Sequence, residues 1–170
     1  VSLQRRRGEY GVGCPTQSVE PERTMSNSRI DQEAVIATLN KILEAELAGV
    51  VRYIHYSFMV HGYSRIPIVG WLRSQADESL LHAQEAGELI TALNGHPSLG
   101  IGQLLETERH DIGDIMRESL EHEQAALALY GDLLHLVEGR DIMLEEYARG
   151  QIAAESRHVS EVDKMLRPPG

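Results

Sequence analysis

Carboxylates and imidazoles stand in this chain where apolar residues would be expected, and they recur at matched spacings. Glu46 falls on one helical stripe with Ile42, Gly49 and Tyr53, and Glu123 lies among Ser119, Ala126 and Tyr130. Glu155 and His158, three residues apart, share a helix face, and His82 follows Ser79 at the same interval. Glu46-x6-Tyr53 recurs as Glu123-x6-Tyr130, and Glu46 to His82 spans 36 positions where Glu123 to His158 spans 35. Two helix pairs related by an approximate twofold axis would bring Glu, Tyr and His to matching depths. A buried carboxylate is costly unless it is paired or bound to a metal. Lys41, Lys164 and the arginines fall off the inner stripes, so a divalent cation is the expected compensation. Carboxylate oxygen with imidazole nitrogen and no thiolate suits iron or manganese better than a softer metal.

These residues require long helices to position them. Ser28 or Asp31 can cap the first, which carries apolar residues from Val35 through Tyr56 at spacings of three and four and should stop near Gly62. Pro67 suits the first turn of a second helix, ended by Asn94-Gly95. Asp111 opens a third helix that Gly139 breaks, and Asp141 caps a fourth that reaches Leu166. Four long amphipathic helices are expected to form an all-α antiparallel four-helix bundle. Gly62–Ile66 and Gly139–Arg140 are short links between antiparallel neighbours. The stretch Gly95–His110 is long enough to cross the bundle, which makes the second and third helices parallel. No β pattern competes, and no fifth helix is expected.

The domain boundaries follow from composition. Residues 1–29 hold Gly8, Gly11, Gly13, Pro15 and Pro21, lack apolar periodicity and carry five Arg against three Glu; they are expected to be a disordered N-terminal tail. Residues 30–167 are expected to form the bundle. The whole chain of 170 residues has a net charge of −10, which excludes a general nucleic-acid binder and argues against anionic lipid. A single cysteine, Cys14, allows no internal disulfide. No apolar run approaches a membrane span and no signal peptide is visible, so a cytoplasmic location is expected.

The residues of all four helices together resemble the bacterioferritins, within the ferritin-like di-iron family. Leu39-Asn40-Lys41-Ile42-Leu43-Glu44-Ala45-Glu46-Leu47 with Tyr53 is similar to their first helix, and His82-Ala83 to the second. Asp111 to Glu123 is similar to the third and Glu155-Ser156-Arg157-His158 to the fourth. The resemblance implies an intra-bundle di-iron carboxylate centre that oxidises Fe(II) with O₂ or peroxide, and a homo-oligomer that stores the ferric product. Manganese or zinc are alternative occupants.

The site that it implies takes Glu46, His82, Glu123, Glu155 and His158 as metal ligands, with Glu155 bridging. Tyr53 and Tyr130 would hydrogen-bond the ligand oxygens, and the ferroxidase residues are then Glu46, Glu123, Glu155, Tyr53 and Tyr130. The family pattern Glu-x-x-His fails in the second helix, where Ser79 precedes His82. At 100° per residue, Glu78 projects about 40° and Glu85 about 60° from His82, and both are candidates to supply the missing carboxylate. The haem methionine of the family falls at Leu80 here, so haem is not expected. Two other readings compete: a non-storage di-iron or di-manganese oxidase or oxygen scavenger acting as a dimer, and a metal-free helical interaction module.

Overall fold

In the computed structural model, residues 30–104 and 107–168 are described; the expected tail at residues 1–29 lies outside them. The described residues form four helices and no strand: α1 (Gln32–Met59), α2 (Arg65–Ala92), α3 (Ile112–Val137) and α4 (Ile142–Leu166). Three of the four begin with an aspartate whose carboxylate accepts from a backbone N–H of the first turn. Asp31 takes Ala34 N–H, Asp111 takes Gly113 N–H and Asp141 takes Leu144 N–H, each satisfying a donor that the helix itself cannot. Asp31, and not Ser28, therefore caps α1. The start of α2 differs from expectation. It begins at Arg65, two residues ahead of Pro67, and its N-cap Ser64 makes no side-chain capping bond.

Two apolar clusters fix the direction of every helix. One joins Val35 and Leu39 near the start of α1, Ile90 near the end of α2, Leu133 and Val137 near the end of α3 and Leu144 at the start of α4. The other joins Tyr56 and Val60, Leu72, Ile115 and Met116, and Val162. α2 and α3 thus begin at the same end and run parallel, as the long crossover requires. Between the clusters lies a polar layer holding Glu46, His82, Glu123 and Glu155. Each cluster closes one end of this layer against water.

The crossover is tied along α1. Ser98 N–H donates to Asn40 Oδ1 at 2.7 Å, and Gly102 N–H donates to the carbonyl of Glu44 at 2.7 Å. A Cβ at position 102 would stand 2.9 Å from that carbonyl oxygen, so only glycine allows the strand of chain to lie so close to the helix. α1 packs closely on α2 and α3, and α3 on α4. α2 and α4 nowhere bring Cα atoms within 8 Å, which leaves a cleft between them that reaches the polar layer.

Candidate metal centre

Helical periodicity puts Glu46 and Tyr53 two turns apart on α1, and Glu123 and Tyr130 likewise on α3, all facing inward. The antiparallel register of α2 against α4 does the rest. It sets Glu78 beside His158 (3.3 Å), His82 beside Glu155 (3.2 Å) and Glu85 beside Gln151 (2.7 Å). Glu46, Glu123 and Glu155 are each 5 % exposed or less. His82 is buried with them and His158 is half-buried.

Glu155 occupies the middle. Its Oε1 lies 3.2 Å from His82 Nδ1 and its Oε2 lies 3.5 Å from His158 Nδ1. His82 Nδ1 is also 3.5 Å from Glu46 Oε1, and His158 Nδ1 is 3.9 Å from Glu123 Oε2. Two groups of three potential ligand atoms result, Glu46–His82–Glu155 and Glu123–Glu155–His158, the atoms of each lying within 4.8 Å of one another. Glu155 is common to both.

The tyrosines cross between halves. Tyr130 on α3 donates its hydroxyl to Glu46 Oε1 on α1 at 2.8 Å, and Tyr53 on α1 donates to Glu123 Oε1 on α3. Each phenol holds one carboxylate of the opposite helix. Such outer hydrogen bonds fix ligand orientation.

The electrostatics follow from crowding three carboxylates and two imidazoles. Burial raises the pKa of Glu46, and the charge of Glu155 adds to the rise. Burial likewise raises Glu123, which hydrogen-bonds Glu155. Burial works in the same direction on Glu155, but hydrogen bonds from His158 and His82 outweigh it and hold this carboxyl well below the usual range. The proton shared by the Glu123–Glu155 pair therefore rests on Glu123. At His82 burial opposes a charge, yet Glu155 and Glu46 push the imidazole up to about 10. Glu155 raises His158 as well. Burial, with the charge of Glu123 beside it, raises the Tyr53 phenol, and burial also raises Tyr130. Without a metal, the charge of the cluster is met by protons.

The donor set fits a pair of divalent cations. All donors are oxygen or imidazole nitrogen, the choice of iron, manganese or zinc rather than a thiophilic ion. Beside them lies a cavity of about 10 Å³ lined by Gln75, Glu78, Ser79, His82, Glu123, Glu155 and His158, about the room of one small particle. Among the described residues, no Lys or Arg ion pair reaches Glu46, Glu123 or Glu155.

The two further candidates separate. Glu78 is half-buried at the rim, against His158 Nε2. Glu85 is exposed and accepts from Gln151 Nε2, so it does not join the cluster. Its angular position around α2 is right, but it lies one turn beyond His82, away from Glu123 and His158.

Two further polar side chains turn inward, Arg52 buried and His122 half-buried. Arg52, which the sequence sets off the inner stripes, is 4 % exposed. It donates to the Glu118 carbonyl at 2.9 Å and to the Tyr56 hydroxyl at 3.2 Å. His122 turns into the seam between α1 and α3, edge-on to Tyr53 with ring centres 6.1 Å apart. Burial, assisted by the charge of Arg52, lowers its pKa to about 4. Gln75, buried on the cavity wall, was signalled in the sequence: it precedes His82 by the interval at which Gln151 precedes His158.

Comparison with curated protein sequences returns no match. Among solved structures, a ferritin-like diiron-carboxylate protein from Bacillus anthracis superposes with a TM-score of 0.76 at 22% identity, over 81% of this chain and 98% of that one. The bacterioferritin-related protein of Bacteroides fragilis, a dodecameric thioferritin, gives 0.76 at 22% identity, over 81% and 87%. Rhodobacter capsulatus bacterioferritin gives 0.72 at 24% identity, over 81% and 86%. The ferritin-like domain family matches residues 36–168, a span that takes in all of α2, α3 and α4, nearly all of α1, and every residue of the carboxylate–imidazole cluster. The chain belongs to the ferritin-like domain family.

Proposed function

We propose that this protein binds two divalent metal ions within the bundle, oxidises Fe(II) there with O₂ or peroxide, and sequesters the iron in a homo-oligomer. One observation carries the reading. The two oxygens of Glu155 face two different imidazoles, each of which has a further carboxylate beside it. A structural ion pair has no need of this division, whereas a carboxylate shared by two cations does.

Glu46 and His82 would hold one ion, Glu123 and His158 the other, and Glu155 both. Each Fe(II) held there would give one electron to O₂ or peroxide and become Fe(III). The chain's own residues do the remainder. Tyr130 and Tyr53 fix Glu46 and Glu123, so the carboxylates need little reorganisation as charge at the centre changes. His82, His158 and Glu123 give up protons when cations enter, which makes loading dependent on pH. The apolar clusters above and below exclude water. Glu78, on the α2–α4 cleft beside His158, gives an incoming cation its first carboxylate, and it is the nearer replacement for the one absent at Ser79.

Leu80, where a haem ligand of bacterioferritins would stand, has no donor atom, and this speaks against haem. The dodecameric assembly of the Bacteroides fragilis relative supports an oligomer, and therefore storage, over an oxidase acting as a dimer.

Aerobic Fe(II) titration followed by ferric absorbance tests the reading, together with light scattering. The expected result is a fast phase that saturates near two Fe(II) per chain, is abolished by Glu46→Ala and by Glu155→Ala, and occurs in a particle much larger than a dimer. Unchanged rates in both variants would remove this site. A dimer with the fast phase intact would leave oxidation and remove storage.

A further inference from the structure

A second cavity, of about 330 Å³, lies between α1, α3 and the crossover, on the face of the bundle opposite the α2–α4 cleft. Its size is that of a site for a small organic molecule. Lys41, Ala45, Ala48 and Arg52 follow one another along α1 at helical spacing, so this helix presents a cation at each end of the cavity and small side chains between. Ala125 and Leu129 of α3 complete the apolar walls. His122 stands between the cavity and Tyr53. A Cβ on Gly49 would come within 2.8 Å of its Nε2, so the missing side chain there admits the ring.

The charge on this wall is not balanced. Arg52 is 4 % exposed, yet among the described residues no carboxylate lies within ion-pair distance of it. Arginines buried to this degree are normally paired. Its hydrogen bonds to the Tyr56 hydroxyl and the Glu118 carbonyl both leave from Nη2, and the Glu118 carboxylate meets it only through that hydroxyl. Nε–H and Nη1–H remain for a charged acceptor. The two carboxylates on the cavity are engaged elsewhere or open to water: Glu44 accepts from Ser98 Oγ of the crossover, and Glu121 is exposed.

We infer that this cavity binds a small organic carboxylate, its charged end on Arg52, its apolar body along Ala45, Ala48, Ala125 and Leu129, and Lys41 at the other end. The walls decide against a bare inorganic oxyanion, which gains nothing from burying four apolar side chains. The chain's net charge of −10 decides against a general attraction for anions, so binding depends on the two local cations. It does not depend on the metal centre.

The test uses the full chain, metal-free, in calorimetric titrations with sodium hexanoate and sodium benzoate as probes and hexan-1-ol and inorganic phosphate as comparisons. One carboxylate per chain is expected, with an affinity that falls as salt rises. Hexan-1-ol should bind at least about tenfold more weakly, because it has no charge to offer Arg52. Arg52→Met keeps the apolar stem and removes the charge, and should weaken hexanoate by at least about tenfold. Ala125→Leu changes an exposed wall residue and should abolish binding by filling the cavity, so it decides the matter if Arg52→Met fails to fold. No binding of either carboxylate, equal binding of hexanoate and hexan-1-ol, or hexanoate affinity unchanged in Ala125→Leu would overturn the proposal. Phosphate bound in place of both carboxylates would leave an anion site and overturn the organic ligand.

Discussion

Glu155→Gln separates a metal centre from a cluster of structural ion pairs. The substitution keeps volume and hydrogen-bonding capacity and removes one unit of charge. That charge lies 3.2 Å from His82 and 3.5 Å from His158. At 3.2 Å and an effective dielectric of about 20, two unit charges attract by about 5 kcal/mol. A protonated imidazole that loses this attraction can release its proton, and so the metal-free protein recovers most of the energy. His82 should fall from about 10 towards the ordinary histidine value near 6.5, visible in a proton NMR titration, with a modest fall in melting temperature. A divalent cation cannot shed its charge. Both ions should therefore weaken by at least about 100-fold, or ~2.7 kcal/mol each, measured with Zn(II) or Co(II) against a competing chelator. Two ions bound at wild-type affinity would refute the reasoning, and loss of only one would show that Glu155 is not shared.

The phenols should act singly. Tyr130→Phe and Tyr53→Phe each remove one hydrogen bond to a carboxylate and leave the ring in place, so each should weaken one ion by about tenfold and not the other, and their ion preferences should be complementary in Co(II) spectra. Metal uptake at pH 8 should release protons, because His82 is held up to about 10 and must be neutral to ligate; calorimetry in buffers of different ionisation enthalpy would show this, and equal heats would refute it. In the metal-free protein the raised pKa of His82 contributes stability that is complete below about pH 6.5 and is lost as pH rises through about 10. Its melting temperature should fall across that window, while the metal-loaded protein should hold steady. Glu78→Gln, at the rim, should slow Fe(II) uptake and reduce its dependence on ionic strength more than it changes the final stoichiometry; stopped-flow at two salt concentrations checks this.

The sequence by itself determined the helices and the inward stripes, because both arise from short-range physics. Backbone hydrogen bonding fixes 3.6 residues per turn. It follows that Glu46 and Tyr53 share a face whatever surrounds them, and that Asp31, Asp111 and Asp141 meet the unpaired N–H groups of their own first turns. The recurrence of Glu, Tyr and His at matched intervals was legible for the same reason. Tertiary structure decided what depends on the space between helices. Glu78 and Glu85 project in nearly one direction from α2, and only the register against α4 sends one to His158 and the other to Gln151. His122 points about 100° from Glu123 on the helix, which suggests an outer position; the missing side chain of Gly49 on α1 opens the seam that admits it. Arg52 is buried because Glu118 and Tyr56, distant in sequence from one another, converge on it. The division of Glu155 between two imidazoles belongs to the same class, since it requires α2 and α4 to be set at one depth, and periodicity along a single helix carries no information about its neighbours' heights.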